Sequence, residues 1–499
     1  MRRTDLVPPR RGAPAGSRLF TMVAACALLA ACAVGPDYHA APPVDTGKGW
    51  TLPVADTARP ADLAHWWSTL GDPVLERLID TALNRNIDLR QAAARVDEAR
   101  ALRDRVAGER LPAAAAGASI NRSRQSENGP LPIGSIPGLD ATQTLYDAGF
   151  DAAWEIDLFG AKQRALEGAS ARLQATAIEA RGVRMRIAAD VARAWFTAVG
   201  AGDELRTQQA TVNTLQRTLE LARQRHARGD APAADVDTAH ARWAAASADL
   251  PGIQARRRGA VLSLGVLLGA PPERELALLD APPAPLTLRA PPVGERADLL
   301  RRRPDVLAAE RRLAASTADI GVTTAELFPK LSISAGGGFQ ALDTGNWFDA
   351  SSTRFSILPL ISWRLFDGGR IRAEIRAREA AQRQAALAYE QAILAALGDA
   401  ERALSDYDSA LATLNRRGEA LAAARASRSH AQARYAAGDI ALTELLAAER
   451  TLHEAEMQAV RARTHSAVQL VALYKALGGG WGTPATGLAA ATRRPHEIL

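Results

Sequence analysis

The stretches "ARQRHARGDAPAADV" (222–236) and "AQARYAAGDIALTEL" (431–445) lie over one another with Gly229 on Gly438, an offset of 209 residues. Each Gly-Asp pair follows a long segment without proline, 160–226 in the first case and 369–437 in the second. In the second, Leu397, Leu404, Tyr407, Leu411, Leu414 and Leu421 recur at three-, four- and seven-residue steps, the spacing of a helical seam. A helix of ~65 residues at 1.5 Å rise is about 100 Å long, more than a compact domain accommodates. At Gly229-Asp230 and Gly438-Asp439 the chain must reverse, and glycine adopts the left-handed conformation a tight reversal uses. A return helix follows each turn, so the expected unit is a long antiparallel helix pair, present twice.

The duplication continues outward from the turns. "WEIDLFGAKQR" (154–164) matches "SWRLFDGGRIR" (362–372), and residues 86–112 fall on 303–329. Between the copies, residues 271–292 hold seven prolines, the composition of an extended connector. Each repeat therefore reads as a helical stretch (about 74–111 and 298–328), two strands, a long helix and a return helix. The expected division is 1–31, a signal segment; 32–270, the first repeat; 271–297, the connector; 298–477, the second repeat; and 478–499, a tail. Strands are expected at about 113–124, 145–159, 331–341 and 353–366. Long helices are expected at about 160–228 and 369–437, with return helices at about 233–268 and 441–477.

The strand regions alternate with period two. Phe150, Ala152, Trp154, Ile156 and Leu158 alternate with Asp151, Glu155 and Asp157. Leu331, Ile333, Ala335, Phe339 and Ala341 alternate with Ser332, Ser334 and Gln340; Phe355, Ile357, Ile361, Trp363 and Leu365 do so with residues including Arg354 and Ser356. One apolar and one polar face result, a pattern that a soluble hairpin with one buried face shares. Beyond Ala31 no uncharged apolar stretch reaches the ~20 residues of a membrane helix. Four amphipathic strands cannot close a membrane barrel alone, since such barrels start at about eight. If they cross a membrane, several chains contribute, and three would supply twelve strands with Asp151, Glu155 and Asp157 facing the lumen.

The N-terminus addresses the chain to an envelope. Arg2, Arg3, Arg10, Arg11 and Arg18 precede an apolar run from Leu19 to Ala31, too short to span a bilayer but suited to a signal peptide. It ends in Leu29-Ala30-Ala31-Cys32, which resembles the bacterial lipobox, where the cysteine is acylated and begins the mature chain. Val23-Ala24-Ala25-Cys26 has the same pattern but leaves only a short apolar segment, so Cys32 is the expected lipidation site. An ordinary signal peptide with incidental cysteines is the alternative. Residues 1–31 carry five arginines and one aspartate, so their removal takes the formal net charge from +6 to +2. No basic patch interleaved with aromatics points to nucleic acid.

Catalytic motifs do not assemble. "HEAEM" at His453 lacks the second histidine of the zinc motif, and Gly336-Gly337-Gly338 lies in a strand pattern, opening no phosphate-binding helix. Four methionines in 499 residues argue against methionine relays for copper. The expectation is a protein without catalytic residues, metal or cofactor beyond the lipid on Cys32.

"CAVGPDY" (32–38), "WWSTLGDPVLERLIDTALNRNIDLRQAAARV" (66–96), "GFDAAWEIDLFG" (149–160), "LLRRRPDVLAAERRL" (299–313) and "FDGGR" (366–370) closely resemble the TolC-type outer-membrane efflux lipoproteins. The resemblance spans roughly 32–480. It implies a mainly α fold with a membrane β part: a homotrimer with four strands per protomer in a twelve-stranded outer-membrane β-barrel, continued by a periplasmic α-helical coiled-coil barrel. It implies a periplasmic membrane-fusion adaptor and an inner-membrane resistance–nodulation–division pump as partners. It also implies that Gly229, Asp230, Tyr435, Gly438 and Asp439 form periplasmic tips where the adaptor docks, with Asp235 and Glu444 as gate carboxylates. A residue beside a threefold axis appears three times, so each such carboxylate becomes a ring favouring cations; a capping or solvated role is the alternative for either. His226 stands where tyrosine is common, and Ile440 where some relatives carry a gate-locking arginine, which leaves packing to hold the closed state. The resulting function is a passive export duct for drugs or other toxic small molecules. The alternatives are a periplasmic coiled-coil scaffold and a protein or toxin secretion duct. The loops at 125–144 and 342–351 are expected outside the cell.

Overall fold

The computed structural model describes residues 33–40, 44–47, 49–52, 63–126, 140–280, 288 and 293–481. Cys32, residues 127–139 of the first strand loop, parts of the 271–297 connector and residues 482–499 lie outside the described residues. The chain forms two compact units that cut across the repeats. The first takes Met1–Ala41, Glu98–Gln174 and Arg311–Leu387; the second takes Pro42–Asp97, Ala175–Glu310 and Ala388–Leu499. Each repeat supplies only two strands, so the sheet requires both.

Helices α1 (Pro73–Arg85) and α2 (Ile87–Gly108) precede strands β1 (Ala113–Arg124) and β2 (Thr142–Ile156). Then come α3 (Ala161–Ala227), α4 (Ala233–Ala248) and α5 (Leu250–Leu267). The second repeat runs α6 (Arg296–Arg302), α7 (Pro304–Ala325), β3 (Lys330–Ala341), β4 (Thr353–Ser362), α8 (Arg370–Ala437) and α9 (Leu442–Ala476).

Several expected elements are subdivided. The helix expected over 74–111 breaks at Asn86, whose side chain accepts from Leu89 N at 3.2 Å and donates to Leu267 O at 2.8 Å. The one expected over 298–328 breaks before Pro304, which disfavours helical backbone at Arg303. The return helix expected over 233–268 divides at Asp249, where Pro251 lacks the N–H that would continue the ladder. The connector is not wholly extended, because Pro272–Asp280 forms a 3₁₀ helix.

The second unit packs around a continuous apolar core that includes Trp66, Trp67, Leu75, Ile187, Ile393 and Leu470. Asp72 starts α1 by accepting from Val74 N at 2.9 Å and Leu75 N at 3.1 Å, and also accepts from the Trp195 indole at 2.7 Å. The "RRPD" segment has a structural purpose. Arg303 is nearly buried, donates to Asp305 at 3.0 and 2.6 Å, and reaches Asp399 at 3.3 Å. A buried guanidinium is tolerated because its charge is met on two sides.

The first unit is built on one antiparallel sheet in the order β1-β2-β3-β4. Trp154 donates to Arg110 O and Trp363 to Leu327 O, each at 2.9 Å. These equivalent contacts place Trp154 on Trp363, one residue from the alignment drawn through 154 and 362. They also align Gly160 (φ 78) with Gly369 (φ 83).

Candidate functional site

The register gathers the alternating residues into two continuous faces. Ala116, Phe150, Gly337 and Phe355 lie side by side across four strands, followed by Ala114, Ala152, Ala335 and Ile357. Phe355, Ile357 and Ile361 are 87%, 71% and 70% exposed in the protomer. Exposure of a continuous apolar band on this scale calls for a lipid or protein partner.

Aromatic residues mark both ends of the band. At the hairpin end Tyr146 lies 5.4 Å from Trp347, which stacks on Phe348 at 4.9 Å. At the helix end sit Trp154, Trp363 and the stacked pair Phe159–Phe328. Tyr146 and Trp154 are separated by about 26 Å along β2, on the scale of the ~25 Å apolar band of outer-membrane barrels with its aromatic girdles.

The opposite face carries Asp147, Asp151 and Glu155 from β2, Gln340 from β3 and Arg354 from β4. Asp157 does not belong to it. β2 ends at Ile156, and the Asp157 carboxylate instead accepts from Gln163 N at 2.8 Å, capping the start of α3. Asp367 does the same for α8, accepting from Gly369 N at 2.9 Å and Ile371 N at 2.8 Å, and these bonds hold its carboxyl below the usual range. β4 ends at Ser362, so Trp363 and Leu365 lie beyond the strand, and Leu358 and Leu360 fall on the polar face.

The two helix reversals have one geometry. Gly229 (φ 80) and Gly438 (φ 83) are left-handed. Gly229 N donates to His226 O at 2.9 Å and Asp230 N to Arg225 O at 2.9 Å; Gly438 N donates to Tyr435 O at 3.1 Å and Asp439 N to Arg434 O at 2.9 Å. Both are Schellman caps, which satisfy the last carbonyls of a helix through a left-handed residue. Asp235 and Glu444 occupy matching places in the first turns of α4 and α9, the end where a carboxylate is favoured by the helix dipole.

Within one protomer the two reversals are tied together. Arg225 donates to the Tyr435 hydroxyl, and its guanidinium lies 4.7 Å from the centre of the Tyr435 ring. Nearby, Val236, Trp243 and Leu442 pack on a small cluster of Leu219, Ala222 and Ala239. Ile440 is half-buried, and His226 contacts Ala231 O through Nδ1 at 2.9 Å.

The sequence model of the outer membrane efflux protein family matches residues 78–270 and 296–479. The chain belongs to that family. It is 31% identical over 482 residues to the pyoverdine export outer membrane protein OpmQ of Pseudomonas aeruginosa, covering 94% of this chain and 98% of that protein. The solved structure of the outer-membrane channel OprN is 36% identical, with a TM-score of 0.81 over 90% of this chain and 100% of that one. The open-state MtrE channel of Neisseria gonorrhoeae is 26% identical, with a TM-score of 0.78 over 90% and 99%.

As a member of the family, the chain is an outer-membrane efflux channel. It forms a homotrimer whose twelve strands close the barrel, and the helices continue it into the periplasm. It works in a tripartite pump with a periplasmic adaptor and an inner-membrane resistance–nodulation–division pump. Closing the barrel pairs the edge strands β1 and β4, which are unpaired within the sheet of one protomer. An apolar face toward lipid and a polar face toward the lumen is the general arrangement of outer-membrane barrels.

Sequence reasoning missed Arg225 and Asp147; it placed Gln340 and Arg354 on the polar strand face but not their contacts with Asp147. Arg225 precedes the paired glycine by four residues, but its partner is 210 residues away.

The segment that follows Cys32 is fastened to the start of α3. Val34 N donates to Phe159 O at 3.1 Å, and Arg164 donates to Val34 O at 3.3 Å, Asp37 at 2.6 Å and Glu167 at 2.9 Å. The hydrogen bond and charge of Arg164 hold the Asp37 carboxyl below its ordinary range. A side chain on Gly160 would strike Ala33, and one on Gly35 would strike the Gly321 backbone, so glycine is required at both crossings.

In the second unit, His453 lies 2.6 Å from the Thr211 hydroxyl beside a cavity of about 750 Å³. Burial pushes the His453 imidazole below its usual pKa and the Glu449 carboxyl above its own.

Proposed function

We propose that this chain is a passive exit duct anchored by a lipid on Cys32, and that its two reversals are the adaptor-docking ends of a gate formed by the helices. It performs no chemistry of its own; the pump supplies the energy. Gly229, Asp230, Tyr435, Gly438 and Asp439 form the docking surface, while Asp235 and Glu444 form carboxylate rings at the gate. Asp151 and Glu155 line the barrel lumen. Relatives named for pyoverdine export and for toluene efflux are each 31% identical to this chain over more than 90% of its length, and cargoes this different support a water-filled, unspecific duct with selectivity residing in the pump.

The observation that carries the docking assignment is the shared geometry of the two reversals. Gly438 is left-handed, and a Cβ built there would meet nothing within 4 Å. A substituent at this point therefore strains the backbone and projects into open space without disturbing a core. The test is Gly438→Trp beside Gly438→Ala, with drug susceptibility and the unheated trimer as readouts. Lost resistance with an intact trimer for the tryptophan variant is expected. Full resistance would refute the docking role. Acylation is tested by mass spectrometry of the mature N-terminus; an unmodified terminus, or an acyl group on Cys26, would refute the anchor.

A further inference from the structure

We infer that Arg354 and Asp147 set the charge selectivity of the barrel lumen; this rests on the lumen reading of the polar sheet face. Arg354 Nε donates to Asp147 Oδ2 at 2.8 Å and Nη2 to Oδ1 at 2.6 Å, a bidentate pair. Gln340 Nε2 donates to the same Asp147 Oδ2 at 3.0 Å. Arg354 is on β4 and Asp147 on β2, so the guanidinium must reach across β3.

Glycines clear that path. A Cβ on Gly149 would stand 3.3 Å from Arg354 Nη2, and one on Gly336 would stand 2.5 Å from Asp151 Oδ1. The run Gly336-Gly337-Gly338 is thereby explained in part: residue 336 leaves room for the Asp151 carboxylate, while a Cβ at 338 would strike the Ala148 and Gly149 backbone of the neighbouring strand.

The pair decides which charges the lumen presents. The strand residues of the polar face include the carboxylates Asp147, Asp151 and Glu155 and the cations Arg354 and Lys330. Arg354 neutralises Asp147, leaving Asp151 and Glu155 in excess over Lys330 to favour cations. In the homotrimer each change acts three times. Neutralising Arg354 uncovers three Asp147 carboxylates; neutralising Asp147 releases three guanidinium groups. These perturbations have opposite signs, and removing both charges together restores the parental balance.

The test uses the purified full-length trimer in planar bilayers under a potassium chloride gradient, comparing the parent, Arg354→Gln, Asp147→Asn and the double variant. Against the parent, the potassium-to-chloride permeability ratio should rise about two-fold or more in Arg354→Gln and fall about as far in Asp147→Asn at low salt. The differences should shrink near 1 M salt, where the screening length is ~3 Å rather than the ~30 Å of 0.01 M. The double variant should match the parent, a result that misfolding of either single variant does not imitate. Conducting trimers with one ratio in all four proteins would overturn the inference while leaving the duct intact. A trimer that never conducts, even with the reversal loosened by Arg225→Ala, would overturn both.

Discussion

The link between Arg225 and Tyr435 predicts a resting gate whose strength can be reduced in steps. Tyr435→Phe removes the hydroxyl but keeps the ring 4.7 Å from the guanidinium, whereas Arg225→Ala removes both interactions. A hydrogen bond with a charged partner contributes about 1.5–3 kcal/mol. A partly exposed cation–π contact contributes about 0.5–1 kcal/mol. Solvent access at the reversal favours the low end, so Tyr435→Phe should cost about 1.5 kcal/mol per protomer and Arg225→Ala about 2 kcal/mol. If the three protomers open together, the closed state loses about 4.5 and 6 kcal/mol, shifts of roughly 10³- and 10⁴-fold in the opening equilibrium. Single-channel recording of purified trimers should show longer open dwell times in the order parent, Tyr435→Phe, Arg225→Ala. Cells should admit a large hydrophilic antibiotic in the same order. Parental dwell times in both variants, with normal trimers, would refute the view that this pair holds the gate.

Three further outcomes follow from named residues. Asp157→Ala should lower the trimer's thermal midpoint, at a cost of about 1 kcal/mol per helix cap, without changing ion selectivity; a selectivity change would return Asp157 to the lumen wall. His453, whose pKa burial lowers, favours the folded state fully above about pH 6.5 and loses that contribution as pH falls toward its lowered value. His453→Gln should flatten the loss of thermal stability between pH 7.5 and 5.5, read in a Glu449→Gln background because the raised Glu449 carboxyl acts in the opposite sense. An epitope inserted between Thr344 and Asp349, in the loop joining β3 to β4, should be detected on intact cells; detection only after permeabilisation would invert the barrel.

The duplicated helix pair was legible in sequence because its determinants are local. Proline-free segments propagate helix, and Gly229 and Gly438 stand where the backbone must turn left-handed. Period-two alternation likewise identified Phe150, Asp151 and Glu155 as members of opposite strand faces, since side-chain direction in a strand follows from parity. Parity failed at Asp157, because the pattern continues past the last ladder pair at Ile156 and only the capping bond to Gln163 shows where the strand stops. The long-range contacts had no local trace. Arg225 meets Tyr435 across 210 residues and Arg354 meets Asp147 across 207. A charged residue at an exposed or half-exposed position carries no periodic signal naming its partner. Sequence determined which segments were helix, turn and two-faced strand; the tertiary structure decided which charges meet, because ion pairing depends on distances set by strand register and helix packing.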